Sequence, residues 1–315
     1  MYDVIVVGGG PAGMTAALYA LRNGKSALVI EKNGFGGQIT HSPKVENYPG
    51  TLSMSGNEFA EKTLDQILVQ GADIEFETVT AVEPSAGASG SSDGTSELPV
   101  WIVKTEEGGA YEGRTVILAT GVKHRMLGLE GEEELVGEGI SFCAVCDGDF
   151  YSGKTVCVAG GGNSALQEAI LLAEKCREVI MLQDLTKFTG EERLQEVLFG
   201  KPNVKAWTNV KINRLITEQG ELRGVETEDR TSGEKQTISC DGLFVAIGLI
   251  PENEPFKELA DLNSYGYFDS DEQCLTKTPG IFVAGDCRSK SVRQLTTAAA
   301  DGASAALAAC RYLNQ

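Results

Sequence analysis

Two stretches of the chain, residues 2–32 and 154–184, repeat one pattern of apolar and polar positions. Each begins with a continuous apolar run rich in β-branched residues, turns through three glycines and continues as an Ala/Leu-rich helix. A second apolar run follows, which ends at Glu31 in the first stretch and at Asp184 in the second. Continuous runs of this kind are typical of parallel strands that are buried on both faces. The pattern therefore predicts two doubly wound α/β domains.

The rest of the chain shows shorter strand-like runs separated by turns. They occur within residues 74–118, 210–229 and 235–248. Within the first of these regions, residues 84–99 (PSAGASGSSDGTSELP) have almost no apolar content and predict a flexible hairpin tip. Residues 296–313 are rich in small side chains and predict a helix that packs closely on its neighbours.

Composition and charge limit the partners of this protein. A chain of 315 residues is long enough for about two domains. It contains no run close to the ~20 apolar residues of a membrane span, and it begins directly in a strand. Its 27 basic and 45 acidic residues give a formal net charge of -18, which argues against general affinity for nucleic acid or anionic membranes. We expect a cytoplasmic protein with neither nucleic acid nor membrane as a partner.

The first glycine turn carries a complete dinucleotide-binding pattern. Gly8, Gly10 and Gly13 satisfy G-x-G-x-x-G between a strand and a helix. Such glycines allow a tight turn, close approach of the backbone to a pyrophosphate, and close helix–strand packing. Glu31 ends the second strand, where a carboxylate can accept a hydrogen bond from a ribose hydroxyl. This stretch therefore predicts a dinucleotide site.

The second glycine turn has the fold pattern without the chemistry that NADPH needs. Gly160, Gly162 and Ala165 occupy the corresponding positions, but residues 182–184 (LQD) carry no basic side chain for a 2′-phosphate. Lys187 is the nearest base, and Asp184 would repel the phosphate. Two interpretations stay open: Asp184 binds the ribose hydroxyls of NADH, or the domain is a retained scaffold without a nucleotide.

Among eight cysteines, Cys143 and Cys146 alone are close neighbours, in the segment CAVCDG. A zinc site would need a second cysteine pair or a histidine pair, and His41 and His124 lie far apart in sequence. We expect both histidines to be ordinary surface residues. A purely structural disulfide across so short a loop would constrain little of the unfolded chain. The pair therefore predicts a redox-active dithiol.

Eight motifs occur in order along the chain: GGGPAG, GFGGQI, VENYPG, ATG, CAVCDG, GGGNSA, IFVAGDC and RQLTTAAADG. Together they resemble those of the low-molecular-weight, thioredoxin reductase-like flavoproteins over essentially the whole length. The resemblance implies two Rossmann-like, three-layer domains. Residues 1–117 and 246–315 would form a discontinuous FAD-binding domain, and residues 118–245 an inserted NAD(P)H-type domain that carries the dithiol. It also implies a homodimer.

The resemblance further implies the roles of individual residues. Cys146 would face the flavin, and Cys143 would attack the substrate disulfide. Asp147 would supply a proton when the pair opens, and the alternative is an aspartate that only shapes the turn before Gly148. The residues that would bind FAD are Gly8, Gly10, Pro11, Ala12, Gly13, Glu31, Lys32, Gly37, Gln38, Asn47, Ala119, Thr120, Gly121, Gly285, Asp286, Arg293, Gln294 and Leu295.

The expected activity is the reduction of thioredoxin, or a thioredoxin-like protein, by a flavin-dependent disulfide oxidoreductase. NADPH-using members of the family carry a basic HRR and a further arginine after the second strand, where this chain has LQDLTKF. A subset without that signature takes electrons from reduced ferredoxin, so we expect ferredoxin as the donor and NADH as the alternative. An NAD(P)H-dependent thioredoxin reductase, an FAD-dependent dithiol oxidase using oxygen, and a non-catalytic redox-sensing flavoprotein stay open.

Overall fold

The computed structural model describes residues 1–42, 44–85 and 98–315. The chain divides into two compact units, and the second is inserted into the first. The first unit comprises Met1–Thr40, Tyr48–Lys123 and Ile250–Gln315, and the second His41–Asn47 and His124–Leu249. The chain thus passes between the units a few residues later than the division expected from the sequence. The short segment His41–Asn47 joins the second unit, which no sequence pattern indicates.

The described residues form seventeen strands and six α-helices. The strands are β1 (Tyr2–Val7), β2 (Ala27–Ile30), β3 (Asp73–Glu75), β4 (Val79–Pro84), β5 (Trp101–Thr105), β6 (Ala110–Leu118), β7 (Val122–His124), β8 (Ile140–Ser141), β9 (Thr155–Ala159), β10 (Glu178–Leu182), β11 (Val204–Trp207), β12 (Val210–Glu218), β13 (Glu221–Asp229), β14 (Lys235–Ser239), β15 (Gly242–Val245), β16 (Leu249–Pro251) and β17 (Ile281–Val283). The helices are α1 (Pro11–Arg22), α2 (Gly56–Val69), α3 (Ala144–Asp147), α4 (Asn163–Ala173), α5 (Glu192–Phe199) and α6 (Leu295–Leu313). Short 3-10 helices lie at Gly37–His41, Glu133–Leu135, Gly148–Tyr151, Glu254–Phe256 and Gly285–Cys287.

A seven-stranded sheet forms the centre of the first unit. Its order is β3-β2-β1-β6-β5-β4, and β17 pairs with the end of β6. The pairs of β1 with β2 and β6 are parallel, whereas β4 and β5 are antiparallel additions. Val4 and Val6 of β1 pack with alanines of α1 and α6, and Ile5 and Val7 pack into the cluster on the opposite face. Burial on both faces explains why β1 is a continuous apolar run.

Helix α1 begins at the first glycine turn and packs closely along α6. Pro11 is its first residue, where the missing N–H costs no helical hydrogen bond. A Cβ on Gly302 of α6 would lie only 2.1 Å from the carbonyl oxygen of Ala12. Gln294 and Thr297 cap α6 reciprocally at its start. The expected close packing of the small-residue helix is confirmed.

The second unit is built on a parallel sheet with the order β11-β10-β9-β15-β8. On one face, Val156 and Val158 pack with Leu166 and Leu172 of α4. On the other face, Cys157 and neighbouring residues pack with apolar side chains of a three-stranded antiparallel sheet, β12-β13-β14. β7 and β16 pair in a separate two-stranded sheet.

The prediction of two doubly wound, Rossmann-like α/β domains is confirmed. Each glycine turn follows an inner strand with parallel neighbours on both sides and leads into a helix. Residues 86–97, most of the predicted hairpin tip, lie outside the described residues. In the part of the chain that the structure describes, no helix combines the length and the apolar character that a membrane span needs.

Candidate functional site

The first glycine turn has room for glycine alone at two positions. Gly8 has a φ of 108°, and a Cβ there would lie 2.3 Å from the carbonyl oxygen of Ala119. A Cβ on Gly13 would lie 1.8 Å from the carbonyl oxygen of Gly8. The turn is therefore wedged between β6 and α1, as the glycine pattern predicts.

The space in front of α1 is open. A Cβ built on Gly10 meets no atom within 4 Å, and no side chain caps the helix start. Gly37, with a φ of 59°, faces Gly10, and Gln38 follows it in the 3-10 helix Gly37–His41. The start of α1 is thus uncapped and open at Gly10, which suits the phosphates of a dinucleotide.

Glu31, the residue that follows β2, holds the glycine turn. Its carboxylate accepts hydrogen bonds from the N–H of Gly9, at 2.6 Å, and of Asn33, at 2.9 Å. Lys32 instead forms an exposed ion pair with Glu252. The Glu31 side chain therefore binds the backbone of the glycine turn, whereas the Lys32 side chain binds Glu252.

The ends of β6 and β17 complete the site in the first unit. Gly285 follows β17 with a φ of 84°, and a Cβ there would lie 2.7 Å from the Cβ of Ala12. The adjacent Asp286 has a buried Oδ1 without a hydrogen-bond partner. Burial raises the pKa of Asp286, against the lowering effect of Lys290 and Arg293. A buried oxygen that makes no hydrogen bond, and lies 3.9 Å from Lys290 Nζ, fits a donor from a bound molecule such as FAD.

Asn253 connects these strand ends. It is fully buried, and its Oδ1 accepts a hydrogen bond from Thr120 Oγ1 at 2.8 Å. Its Nδ2 donates to the carbonyl oxygens of Gly266, at 2.9 Å, and Cys287, at 2.8 Å. It thus ties the turn after β6 to the turn after β17. No motif in the sequence marks this asparagine.

A buried ionic cluster supports the turn that contains Asp286. Asp301 of α6 accepts hydrogen bonds from Arg288 Nε at 2.7 Å, Lys290 Nζ at 2.9 Å and the N–H of Gly285 at 3.1 Å. Burial alone would raise the pKa of Asp301, but its bonds with Arg288 and Lys290 hold that pKa below its usual value. The cluster therefore contains an ionised aspartate.

Three further cofactor residues expected from the sequence lie close to this turn. Arg293 donates to the carbonyl oxygen of Asp286 at 3.3 Å and stacks over the ring of Tyr267. Gln294 is the N-cap of α6 and Leu295 its first residue. Asn47, also expected to bind FAD, lies in a segment of the second unit.

The two neighbouring cysteines form a disulfide. Cys143 and Cys146 lie at the start of α3, with their Cα atoms 5.3 Å apart. The other six cysteines are buried and unpaired. Within residues 1–42, 44–85 and 98–315, no group of three or more His, Cys, Asp or Glu side chains could hold a metal ion. The arrangement is that of a dithiol–disulfide couple.

Asp147 is placed to hold a proton beside the disulfide. Its Oδ2 accepts a hydrogen bond from Ser141 Oγ at 2.6 Å, and its buried Oδ1 has no partner. Burial raises the pKa of Asp147, although the bond from Ser141 lowers it. Ser141 Oγ also accepts a hydrogen bond from the N–H of Cys143 at 3.1 Å. Serine, aspartate and dithiol therefore form one connected group.

Glu168 of α4 is a second carboxylate at the dithiol, and no sequence motif indicates it. It accepts a hydrogen bond from the N–H of Ala144, the residue after Cys143. Burial raises the pKa of Glu168 to about 7, against the lowering effect of the Ala144 bond, and the charge of Asp147 adds to the rise.

The expectation that His124 is an ordinary surface residue is wrong. Its ring stacks on Phe142, with centroids 4.3 Å apart and planes at 19°. Burial lowers the pKa of His124 to about 4, with a further lowering by His41. The imidazole is therefore neutral at physiological pH, because Phe142 covers it. His41 itself is exposed.

The second glycine turn repeats the geometry of the first, but the chain itself covers part of it. A Cβ on Gly160 would lie 2.4 Å from the carbonyl oxygen of Ala246. The side chain of Gln183, at the end of β10, is buried against Gly161. The N–H groups of Thr189 and Gly190 both donate to the carbonyl oxygen of Gly161, at 2.8 and 2.9 Å.

The residues after β10 carry few cationic groups. Asp184 and Lys187 are both exposed, and Glu191 exchanges hydrogen bonds with Asn163 at the start of α4. Of these three residues after β10, two carry a carboxylate and only Lys187 carries a positive charge.

Comparison with known proteins places this site in a family. The family model described as pyridine nucleotide-disulphide oxidoreductase matches residues 2–302. The thioredoxin reductase of Bacillus subtilis (strain 168) is 37% identical over 315 residues, which are 100% of this chain and 96% of that protein. A 34.2 kDa protein in the rubredoxin operon of Clostridium pasteurianum is 36% identical over 312 residues, with 99% and 97% covered.

A solved structure agrees with these relatives. The crystal structure of thioredoxin reductase from Streptococcus pyogenes MGAS5005 superposes with a TM-score of 0.89 at 35% identity, covering 100% of this chain and 98% of that one. The cofactor of such enzymes is FAD. The glycine turn of the first unit and the Asp286 oxygen that makes no hydrogen bond both fit this cofactor. The chain therefore belongs to the pyridine nucleotide-disulphide oxidoreductase family, as an FAD-dependent oxidoreductase of the low-molecular-weight thioredoxin reductase type.

Proposed function

We propose that this protein reduces the disulfide of thioredoxin, or of a thioredoxin-like protein, with electrons from reduced ferredoxin rather than NADPH. The first unit would bind FAD, which supplies an electron pair when bound. The second would be an NAD(P)H-type domain in which the Cys143–Cys146 pair passes those electrons to the substrate. The observation that carries the proposal is the disulfide beside the buried, partly unpartnered carboxyl of Asp147.

The chemistry at the reduced pair is a thiol–disulfide exchange. The Cys143 thiolate attacks one sulfur of the substrate disulfide, which forms a mixed disulfide and releases the other substrate sulfur as a thiolate. Cys146 then attacks Cys143, which restores their disulfide and releases the second substrate sulfur. Asp147 can donate a proton to a departing thiolate, because its pKa is raised by burial.

The proposal about the donor is supported by the residues around the second glycine turn. A 2′-phosphate needs arginine or lysine, and the end of β10 offers the buried Gln183 and the exposed Asp184 instead. The exposed carboxylate of Asp184 favours NADH as the second candidate, because it can accept hydrogen bonds from ribose hydroxyls.

The donor is tested by anaerobic titration of the bound flavin with NADPH, NADH and reduced ferredoxin separately. We expect ferredoxin to bleach the flavin absorbance rapidly and NADPH to leave it unchanged. Rapid bleaching by NADPH would refute the interpretation of the segment after β10. The variant Asp184→Asn serves as a control, because it should weaken any NADH reaction and leave the ferredoxin reaction intact.

The substrate is tested with oxidised thioredoxin and ferredoxin-reduced enzyme. We expect thiols to appear on thioredoxin with the wild type and to be lost with Cys143→Ser, while the flavin of that variant is still bleached. Thioredoxin reduction at the wild-type rate by the variant would contradict the role of the pair. A buried, unpaired cysteine, Cys176, provides the matched control Cys176→Ser.

We further propose a cytoplasmic homodimer. Six buried cysteines persist as free thiols, which suits a reducing compartment. In the first unit, Leu52 and Val69 are 96% and 84% exposed, and apolar exposure of this kind suits a subunit interface. Light scattering should give twice the chain mass of 33.5 kDa, and a monomer would contradict the proposal.

A further inference from the structure

Glu168 contacts the dithiol segment from a different helix. Its carboxylate accepts the N–H of Ala144, which is bonded directly to Cys143. The side chain is half-buried, and α3 packs against α4 at this point. The carboxylate therefore lies at the backbone between the two cysteines.

The amides of this short segment are shared among three acceptors. Ser141 Oγ accepts from Cys143, Glu168 accepts from Ala144, and the sulfur of Cys143 accepts from the N–H of Cys146 at 3.1 Å. When the pair is reduced, a thiolate on Cys143 would thus form one residue away from the amide that this carboxylate accepts. Nearby like charges disfavour each other's ionised state.

Few other charges surround Glu168. Glu168 is the only titratable residue of α4, so this helix supplies no cation to neutralise the carboxylate. The titratable groups of the neighbouring elements are Asp147 on α3, Asp149 and Tyr151 on the following 3-10 helix, Cys157 on β9, Glu178 on β10, and Glu192, Arg193 and Glu196 on α5. Asp149 pairs with Lys175, Glu178 pairs with Lys205, and the charged residues of α5 are exposed. Asp147 is therefore the charge that acts on Glu168.

We propose that Glu168 is a positioning residue that takes up a proton when Cys143 ionises. Glu168 would thereby become neutral when reduction of the disulfide allows a negative charge to form on Cys143. The proposal rests on the disulfide reductase function proposed above. Reduction by a small dithiol breaks the S–S bond and transfers two electrons and two protons. Ionisation of Cys143 then releases one proton, which Glu168 retains, and the neutral carboxyl no longer repels the thiolate. The pKa of about 7 that burial gives Glu168 allows this uptake near neutral pH.

The test uses holoenzyme reduced by dithiothreitol, so neither the donor nor thioredoxin is involved. Alkylation of Cys143 by iodoacetamide is followed across pH and mapped by mass spectrometry. Glu168→Gln keeps a hydrogen-bond acceptor for Ala144 but removes the negative charge. We expect its alkylation midpoint to fall by about one pH unit, which makes alkylation about tenfold faster below both midpoints. Glu174→Gln, an exposed glutamate after the same helix, should match the wild type.

A midpoint that stays at the wild-type value in Glu168→Gln would overturn the proposal, even if the variant melts at a lower temperature. Infrared difference spectra of the wild type give a second measurement that does not depend on folding of a variant. Reduction should add protonated-carboxyl absorption, which Asp147→Asn should keep and Glu168→Gln should lose. Wild-type spectra without that gain would equally overturn the proposal.

Discussion

Replacing Asp301 with asparagine should strongly destabilise the first unit. The carboxylate lies among Arg288, Lys290 and the N–H of Gly285, with Arg288 and Asp301 both buried. Asparagine is nearly isosteric, so the change removes charge without opening a cavity. Arg288 and Lys290 would then lose the buried carboxylate with which both form hydrogen bonds.

The magnitude follows from the cost of an uncompensated buried charge. Removing one partner of a buried pair costs about 3–5 kcal/mol. A unit of this size loses about 2–4 °C of melting temperature per kcal/mol, so we expect a loss of about 6–20 °C. Because the folded-state pKa of Asp301 is below its usual value, its contribution is present at neutral pH and is lost as pH falls through the acidic range. The variant should therefore depend less on pH there than the wild type.

The assay is thermal unfolding of the purified holoenzyme, with flavin release recorded by fluorescence in the same scan. Flavin should leave at a lower temperature, because Asp301 also holds the N–H of Gly285 beside Asp286. Glu272 is the matched control, since it is 94% exposed and lies 3.6 Å from the same Arg288. Glu272→Gln should cost at most about 1 kcal/mol. Equal melting temperatures for the two variants would refute the reasoning that burial sets the cost.

Three further predictions concern single positions. Gly13→Ala should destabilise the holoenzyme by about 1–3 kcal/mol or more in thermal unfolding, because its Cβ would lie 1.8 Å from a carbonyl oxygen. In the absence of FAD, Gly10→Ala should melt near the wild-type temperature, because its Cβ meets no protein atom within 4 Å. Wild-type rates of thioredoxin reduction should fall as pH rises through the raised pKa of Asp147, whereas Asp147→Asn should be slower by about 10²-fold and lack that fall. A proton NMR titration of His124 should give a midpoint of about 4, and Phe142→Ala should move it upward towards 6.5. A midpoint unaffected by that substitution would show that Phe142 does not cause the shift.

Local sequence patterns predicted the parts of the site that depend on consecutive residues. Gly13 is required by the carbonyl oxygen of Gly8 in its own turn, whereas Gly8 and Gly160 lie against the carbonyl oxygens of the distant Ala119 and Ala246; the glycine spacing indicates all three positions but not these distant partners. The cysteine pair is likewise a matter of spacing. Asn253 and Glu168 could not be found in this way, because their partners lie 133 and 24 residues away. The sequence does not indicate that His124 is partly buried, because its stacking on Phe142 arises from the fold and not from residue spacing.

By itself, the amino-acid sequence determined the two doubly wound domains, the dinucleotide turn and the dithiol, since these arise from apolar periodicity and from glycine and cysteine spacing. Tertiary structure alone decided the protonation chemistry around them. Whether Asp147, Glu168 and His124 are charged depends on burial and on which groups the fold brings within hydrogen-bond distance. Desolvation is a property of the packed molecule, and residue types in sequence order do not report it.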